Sequence, residues 1–127
     1  MPEMIDTQKA AEAIRTCRQL AFCENWMVGI VRCENAETRF AGTRSQRILA
    51  EATVVKVGMG AAPQQIQLSC FTQDENMLTV GNLYLVAACD DGEWPPAWSL
   101  SESTEVESDR AETALRETVA KLRRRLE

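Results

Sequence analysis

Between Trp26 and Val106 the chain carries five short apolar runs, each bounded by clusters of Gly, Asp, Asn, Pro or Ser. Alternation at a spacing of two is clearest in Ile66-Gln67-Leu68-Ser69-Cys70, which predicts a strand with one face buried. The run Leu83 to Cys89 is apolar at nearly every position and predicts a strand covered on both faces. Strand one is expected over Trp26–Cys33, with Gly29 marking a bulge or sharp coil. Strand two is expected over Ile48–Val57. Its apolar phase changes partway, from Ile48, Ala50, Ala52 and Val54 to Val55 and Val57, as a bulge or burial on both faces would require.

Polar segments separate the strands. Glu34 to Gln46 reads as a long loop, Gly58 to Pro63 as a turn and Asp74-Glu75-Asn76 as a corner before Gly81. Asp90-Asp91-Gly92 is a strong turn signal. Pro95 and Pro96 delay strand five to about Ala97, from which it runs to Val106.

On either side of this region the spacing changes to three and four. Ala10, Ala13, Ile14, Cys17 and Ala21 form a helical stripe over about 7–21, with Asp6 or Thr7 as its cap. Ala111, Leu115, Val119, Leu122 and Leu126 form a second stripe over about 108–126, with Ser108 as the expected cap. Asp109 and Glu112 lie near the positive end of that helix, and Lys121, Arg123, Arg124 and Arg125 near its negative end. The fold class read from this order is α+β, mainly β, in one domain over residues 1–127: helix, five-stranded barrel over about 26–106, helix.

Five short strands in about eighty residues favour a barrel of the oligonucleotide/oligosaccharide-binding (OB) kind. The run Ile48-Leu49-Ala50-Glu51-Ala52-Thr53-Val54-Val55-Lys56-Val57-Gly58 resembles the second strand and turn of the netrin-like, or tissue-inhibitor-of-metalloproteinase-like, branch of that class. Val80-Gly81-Asn82-Leu83-Tyr84-Leu85-Val86 resembles its Gly-x-x-Tyr-Leu-Val fourth strand, and helices before strand one and after strand five belong to the same pattern. The resemblance covers roughly residues 7 to 126 and implies an OB-like barrel with helical flanks. It does not carry over the inhibitory chemistry. Inhibitors of that family chelate a protease's zinc through an N-terminal cysteine, whereas the first cysteine here is Cys17, inside a helix.

Composition narrows the function by what it lacks. There is no histidine among 127 residues. The usual proton shuttle near neutral pH is therefore missing, and a Cys-His or Ser-His nucleophile pair cannot be built. Asp74/Glu75 and Asp90/Asp91 both lie in turns, which suits solvated carboxylates better than an acid/base pair. No phosphate loop or dinucleotide fingerprint is present. No catalytic residue, metal ligand or cofactor is expected, and the chain reads as a non-enzyme.

The net charge of −5 argues against general binding to a phosphate backbone. No apolar stretch is long enough to span a bilayer, and no signal sequence is visible. Five cysteines, an odd number without a Cys-x-x-Cys pair, favour reduced thiols and a cytoplasmic setting. Cys70 and Cys89 suit buried packing, while Cys17 and Cys23 are the one pair close enough in sequence for a bridge to be tested.

Two loops carry the binding candidates. The strand one–two loop has Arg39, Phe40, Arg44 and Arg47, suited to gripping phosphate or an acidic partner, although a solvated loop is the commoner explanation of such a composition. The strand four–five loop has Trp94 and Trp98 around two prolines, offering stiff amphipathic contact area. For Trp98 a plug at one end of the barrel is favoured over binding, and for Trp94 the two are balanced. In an OB-type barrel both loops border the ligand face. The expected function is a small binding module, protein-binding or inhibitor-like. Single-stranded nucleic acid is the less favoured ligand, and a homodimeric structural subunit is the third reading.

Overall fold

Asp6 sets the start of the first helix. Its Oδ1 accepts hydrogen bonds from the Gln8 and Lys9 amides at 3.0 and 3.1 Å, which satisfies donors that a first turn leaves open. Helix α1 then runs Thr7–Gln19, with Ala10, Ala11, Ile14 and Cys17 buried on one side. The structure is a computed structural model that describes residues 5–19, 25–44, 46–71, 78–90 and 98–127. The expected end of the helix at Ala21, and Cys23, lie outside the described residues. The Cys17 thiol instead faces the Asn25 carbonyl at 3.7 Å.

Five strands follow: β1 Trp26–Arg39, β2 Arg47–Gly60, β3 Gln65–Phe71, β4 Leu83–Asp90 and β5 Trp98–Val106; helix α2, Ala111–Leu126, closes the order. The protein is α+β and mainly β, with all five strands in one sheet in the order β1-β2-β3-β5-β4. β1 pairs with β2 from Met27↔Gly60 to Arg39↔Arg47 and with β4 from Trp26↔Cys89 to Arg32↔Leu83. The β3–β5 join is parallel and consists of Leu68↔Trp98 and Ser69↔Ser99, while every other pairing is antiparallel.

Two boundaries differ from expectation. β1 does not stop at Cys33, because Asn35–Arg39 continue as a strand paired with Arg47–Glu51 of β2. The supposed loop of residues 34–46 therefore begins as strand, an arm of β1 laid along β2 residues 47–51, which pair on their other edge with β3. Polar side chains at most of 34–39 hide the strand from a pattern reading, although Ala36 packs on the core beside Ile48 and Ala50, and cross-strand backbone bonds form whatever the side chains are. β2 likewise runs through Gly58 to Gly60, where Gly60 pairs with Met27 at a φ of 74°. A Cβ there would run into the Trp26 carbonyl, so glycine lets the strand continue where a turn is expected. The bulge expected at Gly29 is present as a register shift between Val28 and Gly29.

Period-two alternation then sorts each strand's side chains between two cores. Met27, Val31, Ala50, Leu68, Val86 and Trp98 meet on the inner face of the sheet. Val28, Ile30, Leu85 and Ala87 point outward, beneath Ile14 of α1 and Leu115, Val119 and Leu122 of α2. β4 is thus covered on both faces, as its unbroken apolar run predicts. Among the described residues no helix is long and apolar enough to cross a membrane.

α2 starts later than expected. Ser108 is not its cap: residues 108–110 form a turn closed by the Arg110 amide on the Glu107 carbonyl at 3.0 Å, and Arg110 at the cap position makes no side-chain cap bond. Glu112, in the first helical turn, is held by Lys56 of β2 at 2.8 Å.

Candidate binding site at the tip of the β1–β2 arm

The arm carries the first group of predicted site residues to its tip. Phe40 directly follows β1 and adopts a φ of 56°, in the left-handed region that non-glycine residues rarely occupy. The residue is 57% exposed. The turn behind it is tied by its own bonds. The Phe40 carbonyl accepts from the Thr43 amide at 3.2 Å and the Thr43 hydroxyl at 2.7 Å. The buried Gln46 side chain accepts from the Gly42 amide at 2.8 Å, and the Gln46 amide donates to the Thr43 carbonyl at 3.2 Å. Gly42, at a φ of 78°, provides the second left-handed position.

The arginines gather around this turn. The Arg47 guanidinium lies 5.7 Å from the centre of the Phe40 ring, within cation–π range. Arg39 is paired with Glu37 through Nε and Nη2, both at 3.4 Å, and Arg44 is exposed on the turn. Residues 39–47 thus contain three arginines and no acidic residue in a chain of net charge −5. The sequence points to these residues; it gives no sign that Gln46, buried among polar neighbours, would lock their turn.

The second group divides. Trp98 is 6% exposed and belongs to the inner core, so its indole is a packing element rather than a contact surface. Burial of the ring beside Leu68 accounts for this, since β5 enters the sheet there. Trp94, with Asp91, Pro95 and Pro96, lies outside the described residues, as do Asp74 and Glu75. β3 nevertheless brings the two loop bases together, because Arg47 pairs with Phe71 and Trp98 with Leu68 on that one strand.

Among the described residues no other group of side chains makes a comparable site. A polar concavity of about 320 Å³ on the outer face of β1, β2 and β3 is lined by Glu34, Glu51, Thr53 and Gln65, among others. Glu34 there is bound by Arg32 at 2.8 Å and by the Thr53 hydroxyl at 3.0 Å. Those bonds, Arg32's first, hold its carboxyl below the usual range, so it is a fixed anion rather than a proton donor. Burial pushes the Cys33 thiol up, which keeps it protonated and inert. The chain matches no protein-family model, and no curated protein or solved structure is significantly similar to it.

Proposed function

We propose that this chain is a non-enzymatic binding module that engages a protein partner with the tip of the β1–β2 arm, through Arg39, Phe40, Arg44 and Arg47. The observation that carries the reading is Phe40: a 57% exposed aromatic held at a φ of 56°. A non-glycine residue in that region costs on the order of 1 kcal/mol, and leaving its ring in water forgoes burial as well. A turn that served only to connect two strands would place glycine or asparagine there. Aromatic and arginine side chains are also the types that dominate protein interfaces.

The fold reading that belongs to this proposal is a barrel of the OB kind with netrin-like helical flanks. Its support is the pairing pattern. β1 has neighbours on both sides, β3 meets β5 in parallel, and both helices lie over the outward residues of β1 and β4. In such a barrel the arm and the loop before Trp98 border one face, and Trp94 would extend the site from that loop.

The test is comparative capture from the native host with wild type, Phe40→Gly and Arg44→Glu as baits, read by mass spectrometry. Both variants should lose the same proteins while keeping the wild-type melting temperature. Identical capture by all three baits would overturn the proposal. So would a salt-sensitive gel shift with a mixed-sequence oligonucleotide, which would assign the tip to nucleic acid instead.

A further inference from the structure

Among the described residues, the outer part of β1 is paired on one side only. Asn35–Arg39 are joined to Arg47–Glu51 of β2, whereas β4 reaches β1 no further than Arg32↔Leu83. The Cys33 amide donates to the Asn82 carbonyl at 3.1 Å and the Gly81 amide to the Cys33 carbonyl at 2.7 Å, which extends the join by one residue. Gly81, at a φ of 90°, lies in the turn that ends it, and Leu78 just before is buried in the inner core. Among the described residues, no backbone pairs with the second edge of Asn35–Arg39.

Unpaired edges of this length invite strand addition, and natural proteins commonly blunt them with proline, lysine or a bulge along the edge. Asn35-Ala36-Glu37-Thr38-Arg39 contains neither proline nor lysine; its two charged residues, Glu37 and Arg39, pair with each other, and the register shift between Cys33 and Asn35 lies at its root. The edge ends at Phe40 and the arginine tip. Its own carboxylates are already engaged, Glu34 by Arg32 at 2.8 Å and Glu37 by Arg39 at 3.4 Å. These pairs cancel, and the charge left near the edge is that of Arg44, exposed on the turn.

We infer that this edge takes an extended acidic segment of the partner as an added strand, with a carboxylate toward Arg44 and an apolar side chain on Phe40. The inference rests on the arm tip being the docking site and specifies how the partner is held. Main-chain bonds along Asn35–Arg39 supply affinity, and the tip supplies specificity and direction. A second copy of this chain is the poorer occupant, since the acids on its arm, Glu34 and Glu37, are held by Arg32 and Arg39.

The test uses the full chain with synthetic peptides of about ten residues, the length of a long strand, alternating valine with glutamate or valine with lysine. The glutamate peptide should bind in fluorescence anisotropy, and Arg44→Glu should weaken it by about tenfold, as loss of a steering charge at an interface rim allows. Amide hydrogen exchange within residues 35–39 should slow when it binds. The same peptide N-methylated at alternate residues, unable to donate along one edge, should not bind.

Binding that leaves exchange at 35–39 unchanged, or that survives N-methylation, would overturn strand addition while leaving the tip as a docking site. Equal binding of the lysine peptide, or no binding of either peptide, would also overturn it. Concentration-dependent protection of 35–39 without peptide would assign the edge to self-pairing and overturn the acidic-segment proposal.

Discussion

Arg125, near the end of α2, donates through Nε to the hydroxyl of Thr7 at the head of α1, 2.9 Å away. Thr7 is 1% exposed, and Arg15 of α1 returns a bond to the Arg125 carbonyl. The two helices are thus joined by polar contacts as well as by the core beneath them. Thr7→Val preserves the shape and removes the acceptor. It should lower stability by about 1 kcal/mol in urea unfolding, the scale of one hydrogen bond whose charged partner keeps some water. Combined with Arg125→Ala, the loss should be smaller than the sum of the single losses.

Glycine substitutions should rank by what a Cβ would meet. At Gly29 it would overlap the backbone carbonyl of Lys56, which cannot move without breaking the β1–β2 join. At Gly58 it would stand 2.7 Å from Leu115 Cδ1 and from Val119 Cγ2, side-chain atoms that can shift part of the way. At Gly42 there is open space and only a positive φ to oppose it. Gly58→Ala should cost about 1–3 kcal/mol, as overpacking does, and Gly42→Ala about 1 kcal/mol. Gly29→Ala should cost the most, and thermal unfolding of the three variants checks the order.

Phe40 and Trp98 should behave oppositely. Trp98→Ala empties a site in the inner core at the β3–β5 join and should cost about 3–5 kcal/mol. Phe40→Gly relieves a left-handed φ and removes an exposed ring, so stability should be unchanged or slightly higher while partner capture falls. A marked loss of melting temperature in Phe40→Gly would mean that the ring is structural.

Glu102 of β5 is partly covered, and burial raises its carboxyl pKa, with Asp6 adding to the rise and Lys9 opposing it. A carboxyl with a raised folded pKa binds more protons folded than unfolded, so stability should fall as pH rises through that window. Glu102→Gln removes the titration. Its melting temperature should exceed wild type near neutral pH and converge with it in acid, below the ordinary carboxylate range. A constant difference across pH would show that the carboxylate is not desolvated.

Much of the architecture is legible in local pattern. The helical stripes, the Asp6 cap, the Gly29 bulge and the double burial of β4 each depend on spacing within one element, and the spacing is written in the residues. The arm is not legible, because among Glu34–Arg39 only Ala36 packs on the core, and one apolar residue does not make the alternation that marks a half-buried strand. Ser108 has the right chemistry for a cap, but the Glu107–Arg110 turn takes the chain into α2 at Ala111. Of the candidate site, the sequence supplies the arginines and Phe40. It contains no sign of the Thr43 and Gln46 bonds that lock the turn, nor of the Leu68 neighbour that draws Trp98 inward.

The order of elements, and the side of each strand and helix that becomes apolar, were determined by the sequence alone, since hydrophobic periodicity acts over a few residues. Tertiary structure decided where β1 ends, which tryptophan is buried and which backbone edge stays open. Those outcomes depend on where β4 stops pairing and where β5 joins β3, contacts between residues far apart in the chain that no local spacing encodes.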